Sequence, residues 1–234
     1  MEDGGDDGRR PQPVGSPGSV PRDLDRELDR LDDERMLDKL TRYWIDERNS
    51  PDILVWQGLV VEETLDKLQA QAEMVQKLQE DPRTSEEEHF RIVLIQTEAE
   101  RVKFLVRSYL RTRLHKIEKY AAYIIQTPEM RGRLSVTELA HAQKYHALLT
   151  AHFHSSALSG LPESMRSLDD DEDESGRGTV TRPNKAQGLF IRARRRCPVS
   201  LPNGGILELE KGAIHLIPYE AIEALLRLGD VECL

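Results

Sequence analysis

The residues with the clearest chemical potential are cations placed along one predicted helix. Seven of them lie between residues 98 and 120, with Glu118 the only acid between the first and the last: Arg101, Lys103, Arg107, Arg111, Arg113, Lys116 and Lys119. Guanidinium and ammonium groups in such a row bind phosphates, or they pair with carboxylates. The whole chain has a net charge of -9, and a domain built for DNA affinity is usually basic. We therefore expect Arg107, Arg111, Arg113 and Lys116 to pair with acids of neighbouring helices or of a partner protein, with a nucleic-acid-binding module as the alternative.

Other residue types that could do chemistry do not form a recognisable site. The histidines at 141, 146, 152 and 154 match neither a closed zinc pattern nor an HExxH helix, so we interpret them as helix-surface residues. Cys197 and Cys233 form no CxxC pair, which predicts two free thiols in a reducing compartment. The sequence thus predicts no enzyme activity, no cofactor and no metal.

The element that must position the cations is the third predicted helix, from about Glu86 to Ile125. Apolar residues recur in it every three or four positions, which places them on one face. At ~1.5 Å per residue this helix would be roughly 60 Å long. The predicted buried stripe includes Val102, Val106, Tyr109, Leu110, Leu114 and Ile117.

Three further helices are predicted around it. The first runs from Leu24 past Trp44, after a Gly/Pro-rich tail (residues 1–22) that we expect to be disordered. Ser50 and Pro51 are typical of a helix start, so the second helix is expected to begin there. Ser135 and Glu138 form a capping-box pair that starts the fourth helix. Residues 23–160 are therefore predicted to form a helical bundle.

The composition then changes. Residues 161–187 contain the acidic run 169–174 and are predicted to be a flexible linker. Residues 188–234 show strand-like periodicity interrupted by turns, and a short helix at 219–228 ended by Gly229. A module of ~47 residues is close to the limit of independent stability, so we expect it to lean on another surface. The fold is therefore predicted to be mainly α, with a helical bundle followed by a small β-rich C-terminal module.

Three stretches resemble one known family. Residues 98–119, reading EAERVKFLVRSYLRTRLHKIEK, are similar to the long helix of the Sld-five subunit of the eukaryotic GINS complex. Residues 40–54 resemble the family's first helix and the Pro-containing junction after it. Residues 207–219 resemble its C-terminal β module, and the likeness spans most of residues 24–234.

The resemblance implies a scaffold without enzyme activity, built from a helical A domain and a β-rich B domain. It implies a nuclear heterotetramer with three other GINS subunits, which joins the MCM ring and the CDC-forty-five protein in the replicative helicase. Links to polymerases and to a replisome adaptor follow from the same likeness, with the adaptor bound through the acidic-leucine segment 23–28. DNA contact would be indirect or weak, and no membrane is expected. Four further core or interface candidates follow: Trp44, Leu207, Leu209 and Leu216.

Overall fold

A computed structural model of the chain describes residues 36–80, 86–166, 168, 178 and 180–234. The predicted tail, the start of the first helix with the acidic-leucine segment, and the acidic run 169–174 lie outside the described residues. Residues Met36–Leu234 belong to one compact unit.

The first part of this unit is helical. Helix α1 spans Met36–Asn49, α2 Gly58–Glu80, α3 Glu86–Lys119, α4 Ala121–Gln126, α5 Pro128–Arg131 and α6 Val136–Ser156. Two 3₁₀ turns follow, Leu158–Gly160 and Glu163–Met165. At 34 residues, helix α3 is about 51 Å long and runs past α1, α2 and α6. The helix was predicted to continue to about Ile125, but it ends at Lys119, because Tyr120 leaves helical geometry and separates α3 from α4.

The start of the second helix differs from the prediction. Residues 50–57 are not helical, and α2 begins only at Gly58. Ser50 does not cap a helix, because its hydroxyl donates to the carbonyl of Asp52 and accepts from Lys116 of α3. The segment stays non-helical since its polar groups bond across the fold, as when the Trp56 N–H donates to the Arg133 carbonyl at 2.9 Å.

The fourth helix starts as predicted. Ser135 is the N-cap of α6, where its hydroxyl accepts from the backbone N–H of Glu138. The Glu138 carboxylate in turn accepts from the backbone N–H of Ser135, which completes the capping box. Two backbone N–H groups at the start of α6, those of Ser135 and Glu138, thereby obtain hydrogen-bond acceptors.

The second part is a small β-rich module. Strands β1 (Gly188–Ala193), β4 (Ile214–Pro218) and β5 (Val231–Cys233) form an antiparallel sheet in the order β4-β1-β5. Strands β2 (Cys197–Ser200) and β3 (Ile206–Leu209) form a separate antiparallel hairpin. Helix α7 (Tyr219–Leu228) packs on the core side of the sheet and ends at Gly229, whose φ of 77° is a left-handed conformation that favours glycine. The predicted fold class, a mainly α bundle followed by a small β-rich module, is confirmed.

The β-rich module packs against helix α1 and the 50–57 segment of the same chain. Ile45 and Leu54 pack against its apolar core. The Asp46 carboxylate accepts from the backbone N–H of Cys233 at 2.7 Å, and the Asn49 amide donates to the carbonyl of Leu234 at 2.7 Å. The surface that supports the module is therefore supplied, at least in part, by the chain itself.

Candidate functional site: a buried ionic junction

The most heavily built polar site lies where α1, the 50–57 segment, α3 and the start of α6 meet. We call it the ionic junction. Its members are Glu47, Asp52, Arg113, Lys116, Arg133 and Glu138, all buried. Six charged side chains in one buried cluster are uncommon, since each must find partners to offset the loss of hydration.

Arg113 is the centre of the ionic junction. Its side chain is 0% exposed, and each of its five N–H donors meets an acceptor. It binds Glu138 through two parallel hydrogen bonds of 2.7 and 2.9 Å, and it binds Glu47 at 2.9 Å. The remaining two donors reach the carbonyls of Leu54 and Arg133. Burial opposes the charge of Arg113, but its hydrogen bonds to Glu138 and the charge of Glu47 outweigh the effect of burial and raise the pKa of Arg113.

Aromatic rings close the space around this guanidinium. It lies over the ring of Trp56 at 5.3 Å and near the ring of Tyr109 at 5.8 Å. The two rings are stacked, with centroids 5.8 Å apart. Gly58 permits this arrangement, because a Cβ there would lie 2.6 Å from Nε1 of Trp56. The faces of the rings add cation–π attraction while they exclude water.

Lys116 lies one turn further along α3 and faces the end of α1. Its ammonium is within hydrogen-bond distance of four oxygens, which belong to the Glu47 carboxylate and carbonyl, the Ser50 hydroxyl and the Asp52 carbonyl. Burial lowers the pKa of Lys116, against the attraction of Glu47. The Glu47 carboxylate therefore binds both Arg113 and Lys116, and it joins α1 to two successive turns of α3.

Arg133 extends the ionic junction to the β-rich module. Its guanidinium binds Asp52 at 3.3 Å and Glu223 of α7 at 2.6 Å. Lys185 also binds Glu223 at 3.1 Å, which brings the end of the predicted linker into the same cluster. Burial raises the pKa of Asp52, while the charge of Arg133 opposes that rise. The ionic junction thus links the helical part to the β-rich part.

The structure shows where the four predicted charged-partner residues lie. Arg113 and Lys116 pair with acids of this chain, as the first of the two interpretations proposed. Both side chains are buried, so the nucleic-acid alternative stays a prediction that rests on the other two residues. Arg107 and Arg111 are exposed.

The apolar candidates divide into three groups. Val106, Tyr109, Ile117 and Leu209 are buried in the core. Val102, Leu110, Trp44 and Leu207 are half-buried, and the Trp44 indole N–H donates to the hydroxyl of Ser108. Leu114 is 39% exposed and Leu216 is 61% exposed, so neither is a core residue of this chain. Whether these side chains meet another subunit stays a prediction.

Sequence reasoning missed the acids of the ionic junction and Arg133. One signal was present: Glu47 follows Leu40 and Trp44 at helical spacing, which places a charge on the apolar face of α1. A charge on such a face indicates a buried pair. Glu138 was recognised as a cap, but its second role as a partner of Arg113 depends on how α6 meets α3.

Neither Cys197 nor Cys233 is a member of the ionic junction. Cys197 and Cys233 are both free, as expected, and both are buried. Burial, and next the negative charge of Asp46, raise the pKa of the Cys233 thiol to about 12, so it stays neutral. Within the described ranges, no three histidine, cysteine or carboxylate side chains are grouped to hold a metal ion. No helix in the described part of the chain is both long and apolar enough for a membrane span.

Comparisons with known proteins agree with this architecture. Residues 69–157 match the family model described as GINS complex protein helical bundle domain, and residues 183–234 match DNA replication complex GINS protein SLD5 C-terminus. A Chaetomium globosum protein named DNA replication complex GINS protein SLD5 is 35% identical, over 86% of this chain and 90% of its own length.

Two more distant relatives bear the same name. The Schizosaccharomyces pombe protein is 33% identical, over 85% of this chain and 91% of its own length. The Homo sapiens protein is 27% identical, over 84% of this chain and 88% of its own length. The family expected from the long helix is confirmed: the chain belongs to the SLD5 family of DNA replication complex GINS proteins.

Proposed function

We propose that this chain is a non-catalytic scaffold subunit of a heterotetrameric GINS complex. Membership of the SLD5 family supports a role in DNA replication, inside an assembly with other subunits. The structural observation that carries the scaffold role is a surface of large apolar side chains on α3. Phe90, Val93 and Leu94 are 63%, 55% and 54% exposed, respectively.

These three residues form one contiguous surface. They occupy positions i, i+3 and i+4 of a helix, so they lie side by side. We call them the α3 apolar surface. Clustered apolar side chains of this kind mark protein–protein contacts more often than they mark free surface. The same half of α3 buries little against its own chain, since Ile92 is its one fully buried apolar residue among those described before Leu105.

The ionic junction supports the same role in a different way. It fixes the β-rich module against α1, so that the two parts present their surfaces in a set orientation. We propose domain limits of 23–160 for the helical A domain, 161–187 for the linker and 188–234 for the B domain. Residues 180–187 of that linker contact the folded part, since Val180 and Pro183 are buried and Lys185 joins the ionic junction.

The wider partners follow from the family likeness. In this proposal the complex acts in the nucleus, where it joins the MCM ring and the CDC-forty-five protein and supports contact with polymerases. DNA contact is indirect, because two of the four candidate cations are sequestered in the ionic junction.

Co-expression with the three other GINS subunits tests the proposal. Leu94→Asp places a charge in the α3 apolar surface and should reduce co-purification of at least one sister subunit. His89→Asp adds the same charge at an exposed polar position of the same helix and should leave the complex intact. A wild-type chain that purifies as a compact monomer and binds none of the other subunits would refute the scaffold role.

A further inference from the structure

A cleft of about 320 Å³ lies between α1 and the 50–57 segment on one side and α7 on the other. It is distinct from the α3 apolar surface and borders the ionic junction through Glu47 and Arg133. Arginines dominate its charged lining: Arg42, Arg133, Arg194, Arg195 and Arg227. Three acids, Asp46, Glu47 and Glu223, also line the cleft, so guanidinium groups outnumber carboxylates by five to three and leave the lining net positive.

The floor of this cleft contains buried polar atoms that lack a partner. Across the described residues, three buried side-chain atoms make no hydrogen bond: the hydroxyls of Tyr109 and Tyr219 and Nε of Arg133. All three residues line the cleft, and each is at least nine-tenths buried. Native proteins leave few buried polar atoms unsatisfied, so three around one cleft point to a bound group.

The chemistry of these atoms defines what they bind. Burial raises the pKa of Tyr109 to about 12, and burial also raises the pKa of Tyr219, so both hydroxyls keep their protons. Two donors lie beside these hydroxyls and oppose the rise in pKa: the backbone N–H of Gln57 beside Tyr109, and the Arg133 guanidinium beside Tyr219. Neither can accept the hydroxyl proton. What is missing is therefore an acceptor, and an acceptor among arginines is an anion.

The acids of the lining do not fill this need. Glu47 is bound by Arg113 and Lys116, and Glu223 is bound by Arg133 and Lys185. Asp46 accepts from the backbone N–H of Cys233. At the rim, Arg195 is 80% exposed and lies 3.8 Å from Asp230, which leaves it accessible from solvent.

We propose that this cleft binds a phosphoryl group, carried either by a free phosphate compound or by a phosphorylated side chain. A phosphoryl group accepts hydrogen bonds through several oxygens and carries no donor when fully ionised. It can therefore meet tyrosine hydroxyls and guanidinium groups together, whereas a carboxylate offers only two oxygens. Planar guanidinium groups also match the geometry of phosphate oxygens.

Titration calorimetry of the full chain with inorganic phosphate, at constant ionic strength in chloride buffer, tests this site. Tyr219→Phe removes one floor donor and should weaken phosphate binding about tenfold or more, the usual effect of losing one hydrogen bond to a charged group. Arg195→Gln should also weaken it. Arg196→Gln is the matched control, because Arg196 is a similarly exposed neighbour that pairs with Glu208 outside the cleft and should bind as wild type.

Melting temperatures in phosphate-free buffer provide a second readout. Tyr219→Phe should not lower the melting temperature there, since it removes an unsatisfied hydroxyl. A lowered melting temperature with unchanged phosphate affinity would mean that ordered water satisfies the hydroxyl, and it would overturn the proposal.

Parallel titrations with a phosphoserine peptide and with a nucleoside monophosphate distinguish the two sources of the phosphoryl group. Tighter binding of the peptide assigns the cleft to a modified protein segment, and tighter binding of the nucleotide assigns it to a free compound. Heats of phosphate no larger than those of acetate, or equal losses in Arg195→Gln and Arg196→Gln, would overturn the proposal.

Discussion

At the scale of single residues, the defining feature of this chain is an arginine in the position of a core residue. Arg113 follows Tyr109 by four residues and precedes Ile117 by four, so it lies on the line of α3 that faces the core. A lone cation there would be very costly. Glu47, Glu138 and two carbonyls meet all of its donors, which makes the charge tolerable and fixes where α1 and α6 meet α3.

Replacing Arg113 tests this dependence. Arg113→Met leaves Glu138 buried without a cation, and Glu47 then has only Lys116. We expect the free energy of unfolding to fall by about 3–5 kcal/mol, measured by urea denaturation. Arg111→Met, on the exposed side of the same helix, is the control and should change it by less than about 0.5 kcal/mol. A loss below about 1 kcal/mol in Arg113→Met would show that the acids find other partners.

Asp46 makes the stability of the folded chain depend on pH. Burial raises the pKa of this carboxyl from 3.8 to about 7, although the backbone N–H of Cys233 favours the charged form. Between pH 4 and 7 the folded chain therefore holds a proton that the unfolded chain has released. It follows that the free energy of unfolding falls as the pH rises through this window and levels off above it.

Asp46→Asn keeps the acceptor oxygen but cannot ionise. Its stability advantage over the wild type should grow from near zero at pH 4 to roughly 1–4 kcal/mol at pH 7.5. Urea denaturation across this pH range measures the difference. Asp38→Asn, exposed on the same helix, should run parallel to the wild type. A constant difference between Asp46→Asn and wild type would mean that Asp46 is ionised throughout.

At the scale of elements, helix α3 shows how a correct period can misplace one edge of the buried face. The apolar pattern predicted a buried stripe of Val102, Val106, Tyr109, Leu110, Leu114 and Ile117. Val106, Tyr109 and Ile117 are buried, but Leu114 is 39% exposed and its neighbour Arg113 is buried instead. Arg113 was left out of the predicted stripe because it is charged, and Leu114 was included because it is apolar.

Charge substitutions at a buried and at an exposed position of α3 test which face of the helix is buried. Val106→Asp buries a carboxylate in the core beside Leu40 and Val61, so the full chain should lose its cooperative thermal transition. Leu114→Asp introduces the same charge at a 39% exposed position and should keep the chain folded, with circular dichroism like the wild type. If the two variants behaved alike, the observed face would be wrong. Loss of a sister subunit with Leu114→Asp alone would assign Leu114 to an interface.

At the scale of the whole molecule, the β-rich module depends on the helical part. It leans on Ile45 and Leu54, and its last strand meets α1 through Asp46. The sequence predicted that the module needs a supporting surface, and the helical part of the same chain provides one. No sequence pattern reveals that this surface lies in the same chain. The module is thus held in place before any partner binds.

Deleting residues 188–234 tests this dependence. The truncated chain should keep most of its helical circular dichroism, because α3 still packs on α1, α2 and α6. Its melting temperature should fall below that of the full chain, since Ile45 and Leu54 become exposed and Arg133 loses Glu223. Co-purification with the other GINS subunits should weaken. An unchanged melting temperature together with intact co-purification would contradict both expectations.

The sequence by itself determined the elements that depend on local physics. The capping box at Ser135, the end of α7 at Gly229 and the period of α3 follow from hydrogen bonds and backbone freedom within a few residues. The family could also be recognised from residues 98–119. Only the tertiary structure decided which side of α3 is buried and why residues 50–57 are not helical. Both depend on Glu47, Asp52 and Glu138, distant in sequence, which meet Arg113 and Lys116 only when the helices have packed.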